Sequence, residues 1–562
     1  SRPTTPASPS TGPTSRMPTD TDLYRYLQNQ GKAFMAMEGN VEQLTYSGVD
    51  PLKPVGCPEL VFGIVSPVGS NKEDLCEALK EELGEYGYIS HRIRLSELIS
   101  LVPGFEDAGV GAPDEGERIK RLMIAGSSIR SSSGLNDALA MLGISEVLRI
   151  RAELNQQEEC ENPETRGRTK TAYILDSLKH PDEVSTLRAI YGSGFMLISA
   201  FSRRSERVSQ LAQKIAYSKN DPQGVDAARS SAEELVKIDE KEEANRSGQN
   251  VQSCFPLGDF FVNLDAGASA YKEELERFLK VVFGCPFVTP TRDEWGMFHA
   301  ESSSWRSADL ARQVGAAITT PNGSVLALGC NEVAKPFGGL YWEGDDGDAR
   351  DFQSGRDVGG EQKRLMVAEV FNRISESGEF DKSVRDKFSE MAGKAIAGDD
   401  HPILSGLQAL NVIEYGRTVH AEMAAVSDAA MRGVSLDGAV MYVNTFPCHI
   451  CARHIVSSGI ERLVYVEPYP KSMTSSLFGD SIVVDGHGKS DDKVAFHSFS
   501  GIAPRLYMFA FKATMKRKSA GSVVSWSKRT ASTRLKRFVT SYIVMEHQIV
   551  NKMLPKLMED KE

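Results

Sequence analysis

The sequence predicts an α/β protein built from two units in tandem, and three observations carry that expectation. Short apolar runs of strand length alternate with amphipathic stretches of helix length from about residue 59 onward. From about residue 289 a hairpin signal is followed by helix, strand, helix and strand. At 562 residues the chain is also too long for one ordinary core.

The elements follow in order. The first sixteen residues, SRPTTPASPSTGPTSR, offer no core-forming side chains. With Met17 directly after them, they read as an expression-vector remnant. ELVFGIV (59–65) is a buried strand, followed by a Gly- and Ser-containing turn and the amphipathic helix NKEDLCEALKEEL. TAYILDSL (171–178) and GFMLISAF (194–201) are two further buried strands with a helix, EVSTLRAIY, between them. Strands of this kind favour a parallel sheet. The charge-dense segment 220–247 has helical spacing and reads as a surface helix.

The second unit opens on WGMFHAESSSWRSADLAR, which has helical periodicity throughout. VGAAITT and SVLALG are two strands joined at Asn322-Gly323, a strong hairpin signal. Residues 335–360 are rich in Gly and Asp and form a long functional loop. Then come a helix over 361–377, an Ala-rich helix from His420, a strand over 439–445, a helix from Cys448 and a strand over 462–468. No solenoid repeat interrupts this order.

Composition excludes several classes. With 41% hydrophobic and 25% charged residues the chain is globular, and no apolar run reaches membrane-spanning length or has a secretory layout. A soluble, cytoplasmic protein is expected. The net charge of −11 argues against a dedicated duplex-DNA binder. A basic stretch does lie between Lys512 and Arg537, with Trp526 inside it; a solvated face is its plainer reading. Eight dispersed cysteines are too few for a disulfide scaffold, and only Cys448 and Cys451 form a tight pair.

That pair belongs to the fragment Pro447-Cys448-His449-Ile450-Cys451, which begins 25 residues after Glu422 of His420-Ala421-Glu422. Together these are the H-x-E…P-C-x-x-C signature of zinc nucleobase deaminases. Cysteines three apart at a helix start place both sulfurs on one face, and a helix N-terminus favours thiolates. His420 is the expected third zinc ligand, which leaves the fourth tetrahedral position for water. A water held there would ionise near neutral pH. Glu422 is the expected proton carrier between that water, the ring N3 and the departing ammonia. Two residues on from His420 it would not share a face with it in a regular helix, so the pair must sit at a first turn. A structural zinc, with His449 or His454 as fourth ligand, is the rival reading. A redox pair is another, but it leaves His420 and Glu422 unexplained.

Further segments resemble deoxycytidylate deaminases: Trp305-Arg306-Ser307, Arg312-Gln313-Val314-Gly315-Ala316, Asn331, VHAEMAA and TFPCHICARHI. PFGGLYWEGD (336–345), FHSFSGIAPRLY (496–507) and the α/β unit in front resemble a narrower group, the bacterial anti-phage dCTP/dCMP deaminases. The resemblance implies a P-loop-like, nucleotide-kinase-like α/β domain over 17–270 and an α/β/α cytidine-deaminase-like sandwich over 285–515. A basic, helical extension would fill 516–562. It implies hydrolytic deamination of dCTP, dCMP or both, draining the deoxycytidine nucleotide pool. It places Asn331 at the sugar and gives Arg306 and Ser307 a part in phosphate binding or loop order. Tyr469, just after the strand over 462–468, could stack on the base, with an ordinary core or rim aromatic as the equal reading. A turn cap after the hairpin strand is the lesser reading of Asn331. It also implies a homo-oligomer, an allosteric nucleotide, and an inhibitory RNA that the basic stretch could hold. A polynucleotide deaminase and a housekeeping dCMP deaminase are the alternatives.

In the N-terminal unit, Gly63-Ile-Val-Ser-Pro-Val-Gly69-Ser70-Asn-Lys72 resembles a phosphate-binding loop after a strand. It departs from G-x-x-x-x-G-K-[ST] by an extra residue before Gly69, by two residues before Lys72, and by lacking Ser or Thr after it. Asp176 stands where a metal-holding acid would be in a nucleotide kinase, and Arg188, Arg203 and Arg204 add positive charge. A regulatory, nucleotide-sensing domain is expected in preference to an active kinase.

Overall fold

The computed structural model describes residues 57–160, 166–242, 245, 247–397, 415–466, 472–486, 492–513, 515–534 and 541–558. Residues 1–16, Met17 and Tyr469 lie outside them. The chain is mixed α/β, with two six-stranded sheets.

The first sheet comprises β1 (Leu60–Val65), β2 (Ile89–Arg94), β3 (Thr171–Asp176), β4 (Phe195–Phe201) and β5 (Phe260–Asn263). Its order is β5-β4-β1-β3-β2, and these five strands pair in parallel. LVFGIV is buried at all six positions because helices cover both faces. Leu60, Phe62 and Ile64 face one layer, formed by α1 (Lys72–Glu85) and a later helix of residues 268–282. Val61 and Val65 face the other, which includes α2 (Glu115–Ser133), α3 (Ala138–Gln157) and α4 (Pro181–Tyr191). A period of two thus splits one strand between two cores.

The segment read as one surface helix is the second arm of a helical hairpin, α5 (Arg204–Ser218) and α6 (Val225–Glu240). It is a surface helix with one buried face, Ala228, Ala232, Leu235, Val236 and Asp239, and its other side exposed. β5 and α7 (Ala268–Val282) complete the unit.

α8 (Arg292–Ser304) starts at a capping box between Thr291 and Glu294. It stops eight residues short of the helical pattern, because Trp305–Arg312 fold into a loop. β6 (Gly315–Thr319) and β7 (Val325–Cys330) form the expected hairpin, with Gly323 at φ +91° in its turn, where a left-handed residue is needed. After β8 (Glu332–Val333) and the long loop come α9 (Val358–Glu376) and a further helix, α10 (Lys382–Ala397). β9 (Thr418–Val419), α11 (Ala421–Met431), β10 (Val440–Val443), α12 (His449–Ser457) and β11 (Arg462–Tyr465) follow in the expected order. β12 (Ile482–Val484) and β13 (Val494–Ser498) extend the second sheet, whose order is β12-β13-β11-β10-β6-β7.

The chain then returns to its beginning. β14 (Gly501–Ile502) pairs antiparallel with β5 on the edge of the first sheet. Trp526 packs on the core beneath α1 and α7, and α13 (Ser541–Met558) lies on α3 and α4. Met297, Ala300, Val440 and Tyr442 of the second unit belong to the same core cluster as one face of the first sheet. Among the described residues no helix is long and apolar enough to cross a membrane.

Candidate metal centre

Two helix N-termini meet at the C-terminal half's central feature. His420 is the N-cap of α11, with an extended backbone (φ −67°, ψ 151°), and Cys448 is the N-cap of α12. The extended cap separates the directions of His420 and Glu422, which a regular helix would not bring together. Cys451, in the first turn of α12, donates its backbone N–H to Cys448 Sγ at 3.4 Å. His420 Nδ1 lies 3.4 Å from Cys448 Sγ and 3.4 Å from Cys451 Sγ.

A tetrahedral zinc with ordinary Zn–S and Zn–N bonds requires an S···N separation of about 3.6 Å, so the three donor atoms fit that ion. His420, Cys448 and Cys451 form the group of metal-binding geometry among the described residues, and neither His449 nor His454 is part of it. The donors suit zinc, one nitrogen and two sulfurs with a coordination position left over.

Electrostatics agree with that use. The Cys451 thiol and then the His420 imidazole hold the Cys448 thiol down at about 4, so it stands ready as a thiolate. The Cys448 sulfur and burial push its partner Cys451 the other way, because two adjacent thiolates repel. The Cys448 sulfur raises His420 against the opposing effect of burial. Glu422 is 4% exposed, and burial raises its carboxyl, which is also within hydrogen-bond reach of Cys451.

The other expected site residues take specific places. Asn331 is buried just beyond β7; its Oδ1 accepts from the Val314 N–H and its Nδ2 donates to the Arg312 carbonyl, both at 2.7 Å. It ties the loop 305–314 to the hairpin. The Arg306 guanidinium stacks on Trp342 at 3.5 Å and donates to the Leu340 and Tyr341 carbonyls, so it orders the long loop. The buried Ser307 hydroxyl accepts from the Asp309 N–H.

Sequence reasoning missed Asp309. Its Oδ2 accepts from Thr418 Oγ1 at 2.8 Å, beside His420, and its charge contributes to raising that imidazole. A lone aspartate in a loop carries no local signal of this role. Glu332, buried and accepting from the Ala308 N–H, was likewise invisible.

The N-terminal residues do not all converge. Gly63 lies inside β1, not in the loop after it; a Cβ there would meet Leu178 and Phe195 at 2.6 and 2.8 Å, so its smallness serves packing. Gly69 is in the loop at φ +85°, against the Arg207 carbonyl, and Ser70 is buried beside it. Lys72 opens α1, and its Nζ is 2.8 Å from Asp176 at the end of β3. Burial would push the Asp176 carboxyl up, but Lys72 and Arg92 outweigh it and hold it below its ordinary value. Arg203 pairs with Asp265, Arg204 with Glu240, and Arg188 with Asp259.

Fold and donor set together define a zinc-binding α/β domain in the C-terminal half. Residues 290–467 match the family model of the cytidine and deoxycytidylate deaminase zinc-binding region. The deoxycytidylate deaminase of Enterobacteria phage T2 is 50% identical over 54 residues, which are 10% of this chain and 29% of that protein. That of Enterobacteria phage T4 is 50% identical over 54 residues, 28% of its length. The ComE operon protein 2 of Bacillus subtilis (strain 168) is 43% identical over 53 residues, 9% of this chain and 28% of that protein. The match thus spans under a third of the length of each relative. Among solved structures, the dCMP deaminase of cyanophage S-TIM5 in complex with dCMP and dUMP is 17% identical. It covers 38% of this chain and all of that one, at a TM-score of 0.21.

Proposed function

We propose that the C-terminal unit hydrolytically deaminates a free deoxycytidine nucleotide, dCTP or dCMP, to the uracil nucleotide and ammonia. The convergence of His420, Cys448 and Cys451 beside a buried Glu422 carries this reading. Zinc held there supplies the Lewis acidity that makes water a nucleophile near neutral pH. Glu422 then does the proton work. Its carboxylate takes one proton from the water that adds to C4 and passes it to N3, then takes the second from the resulting C4 hydroxyl and delivers it to the amino group as the C4–N4 bond breaks and C4=O forms. Burial keeps solvent from competing for those protons. Asp309, through Thr418, holds the strand before His420, and Arg306 holds the long loop through Trp342 and the Leu340 and Tyr341 carbonyls.

The relatives' names support a deoxycytidylate substrate, and the acidic, Gly-rich loop disfavours a polynucleotide. Draining the deoxycytidine pool as a defence against phage is the role we assign, in a homo-oligomer with an allosteric nucleotide. Among the described residues, an inhibitory RNA would find Lys512, Lys516, Lys518 and Arg529 exposed. Lys528 is already paired with Glu82 and Glu276, and Arg517 and Arg534 donate to backbone carbonyls.

Ammonia release measured across dCTP, dCMP, CTP, cytidine and a cytosine-containing oligonucleotide tests the substrate class. Release from the deoxynucleotides alone is expected, and release from the oligonucleotide alone overturns the reading. Glu422→Ala should keep zinc and lose about 10²–10⁴-fold in rate. A rise in activity on ribonuclease treatment is the expected sign of the RNA.

A further inference from the structure

The turn that presents the two sulfurs is held from behind by a brace that ends on a carboxylate. Phe446, buried two residues before Cys448, meets the Tyr465 ring edge-on, with centroids 4.8 Å apart and planes at 81°. Tyr465 is the buried last residue of β11, and its hydroxyl donates to Asp485 Oδ2, just beyond β12. The other carboxylate oxygen, Oδ1, accepts from the Ser498 N–H at 2.8 Å, at the end of β13. Since β12, β13 and β11 are neighbours in the second sheet, the brace ties three strand ends together.

Asp485 is also held in place. Its backbone is left-handed at φ +48°, a conformation that a residue with a Cβ keeps where its surroundings over-determine it. Arg203 of the first unit, itself paired with Asp265, donates to the Asp485 carbonyl at 3.5 Å. The carboxylate is thus fixed from the second sheet on one side and from the first unit on the other.

From Phe446 the constraint reaches a metal donor over a short, stiff path. Pro447 has a fixed φ and restricts the residue before it, so Phe446 and Cys448 do not reorient independently. The Pro447 carbonyl accepts from Thr474 Oγ1 at 3.3 Å. Phe446, Tyr465 and Cys451 share one core cluster, with Cys448 packed against it. The imidazole side of the centre is held through Asp309 and Thr418, and this brace is its counterpart on the sulfur side.

We propose that Tyr465 and Asp485 are positioning residues of the metal centre. The carboxylate fixes the tyrosine ring, the ring fixes Phe446, and Phe446 sets where the Cys448 sulfur stands. Neither residue belongs to the donor set. The proposal rests on the metal-centre reading of His420, Cys448 and Cys451 and is independent of which nucleotide is deaminated.

Cobalt(II) loaded into the full chain in place of zinc tests it, because the visible bands of a tetrahedral cobalt–thiolate site report donor geometry. Tyr465→Phe removes one hydroxyl and keeps the ring in the core. It should shift those bands and weaken cobalt binding about tenfold. Phe446→Leu should move both in the same direction. Asp485→Asn, added to Tyr465→Phe, should change nothing further, since the carboxylate acts through the hydroxyl already removed. Tyr442→Phe is the control. Its hydroxyl, on an equally buried ring, donates to Asp293 on the opposite face of the sheet, so bands and affinity should match the unaltered protein. Unchanged bands in Tyr465→Phe, an equal shift in Tyr442→Phe, or a further shift on adding Asp485→Asn overturns the proposal. An unaltered protein that takes up no cobalt overturns the metal-centre reading and this proposal with it.

Discussion

Cys448 is the residue at which the local physics is most legible. A thiol at a helix N-cap, beside an imidazole and a second thiol, is held at about 4 and needs a cation to accompany its charge. Cys448→Ala should therefore lose stoichiometric zinc and activity together, read by metal analysis and ammonia release. A chelator should do the same reversibly to the unaltered protein. Asp176 makes a different prediction. Its carboxyl is held below its ordinary value by Lys72 and Arg92, so its contribution to stability is complete above about pH 4 and is lost as pH falls through the depressed value. Asp176→Asn should cost about 3 kcal/mol at neutral pH by leaving two cations without their shared anion. Urea unfolding at pH 7 and pH 3 checks the sign, since the difference between the two proteins should shrink in acid. The grouping of His420, Cys448 and Cys451 could be read from the sequence because their spacing is itself the chemistry. Asp309 and Asp239 could not, because a single carboxylate acquires its role only from the distant segment it faces.

Elements place those residues by close approach. Gly329 on β7 faces α11, and a Cβ there would lie 2.2 Å from the Ala421 carbonyl oxygen and 2.5 Å from the Ala425 nitrogen. α11 carries Glu422 in its first turn, so Gly329→Ala should push the helix off the sheet. A loss of about 3 kcal/mol in stability is expected, with weaker zinc binding. Gly84→Ala, in a helix where the new methyl meets nothing within 4 Å, is the contrast. It should be neutral or stabilise by up to about 1 kcal/mol in a thermal melt. β1, β3 and β4 were readable because parallel strands buried on both faces are continuous apolar runs, whereas β2, with the sequence ISHRIR, is only partly buried and gives no such run. The helical pattern beyond Ser304 misled, because apolar spacing does not register that Arg306 leaves the helix to stack on Trp342. α6 is the surface helix that its charge density indicates, yet one of its charges, Asp239, is buried.

The whole molecule is closed by its own C-terminal segment. Arg151 of α3 is fully buried between Glu59, at the start of the first sheet, and Glu546 of α13, with Tyr173 and Tyr542 donating to Glu59. Arg151→Met would leave two buried carboxylates facing each other. A loss of about 3–5 kcal/mol is expected, with early proteolysis of the 541–558 helix as the visible sign. β14 and Trp526 fasten the same return path at two further places. The sequence by itself determined the alternation of elements, the two parallel-containing sheets and the zinc donor set, because each is encoded within a few residues by periodicity or spacing. Only the tertiary structure decided that the C-terminal segment belongs to the first sheet's cores, that Arg306 and Asn331 brace loops, and that Asp239 occupies the loop after β1. Those depend on contacts between residues from about twenty to several hundred positions apart, and burial and charge pairing between separate elements leave no mark on any local pattern.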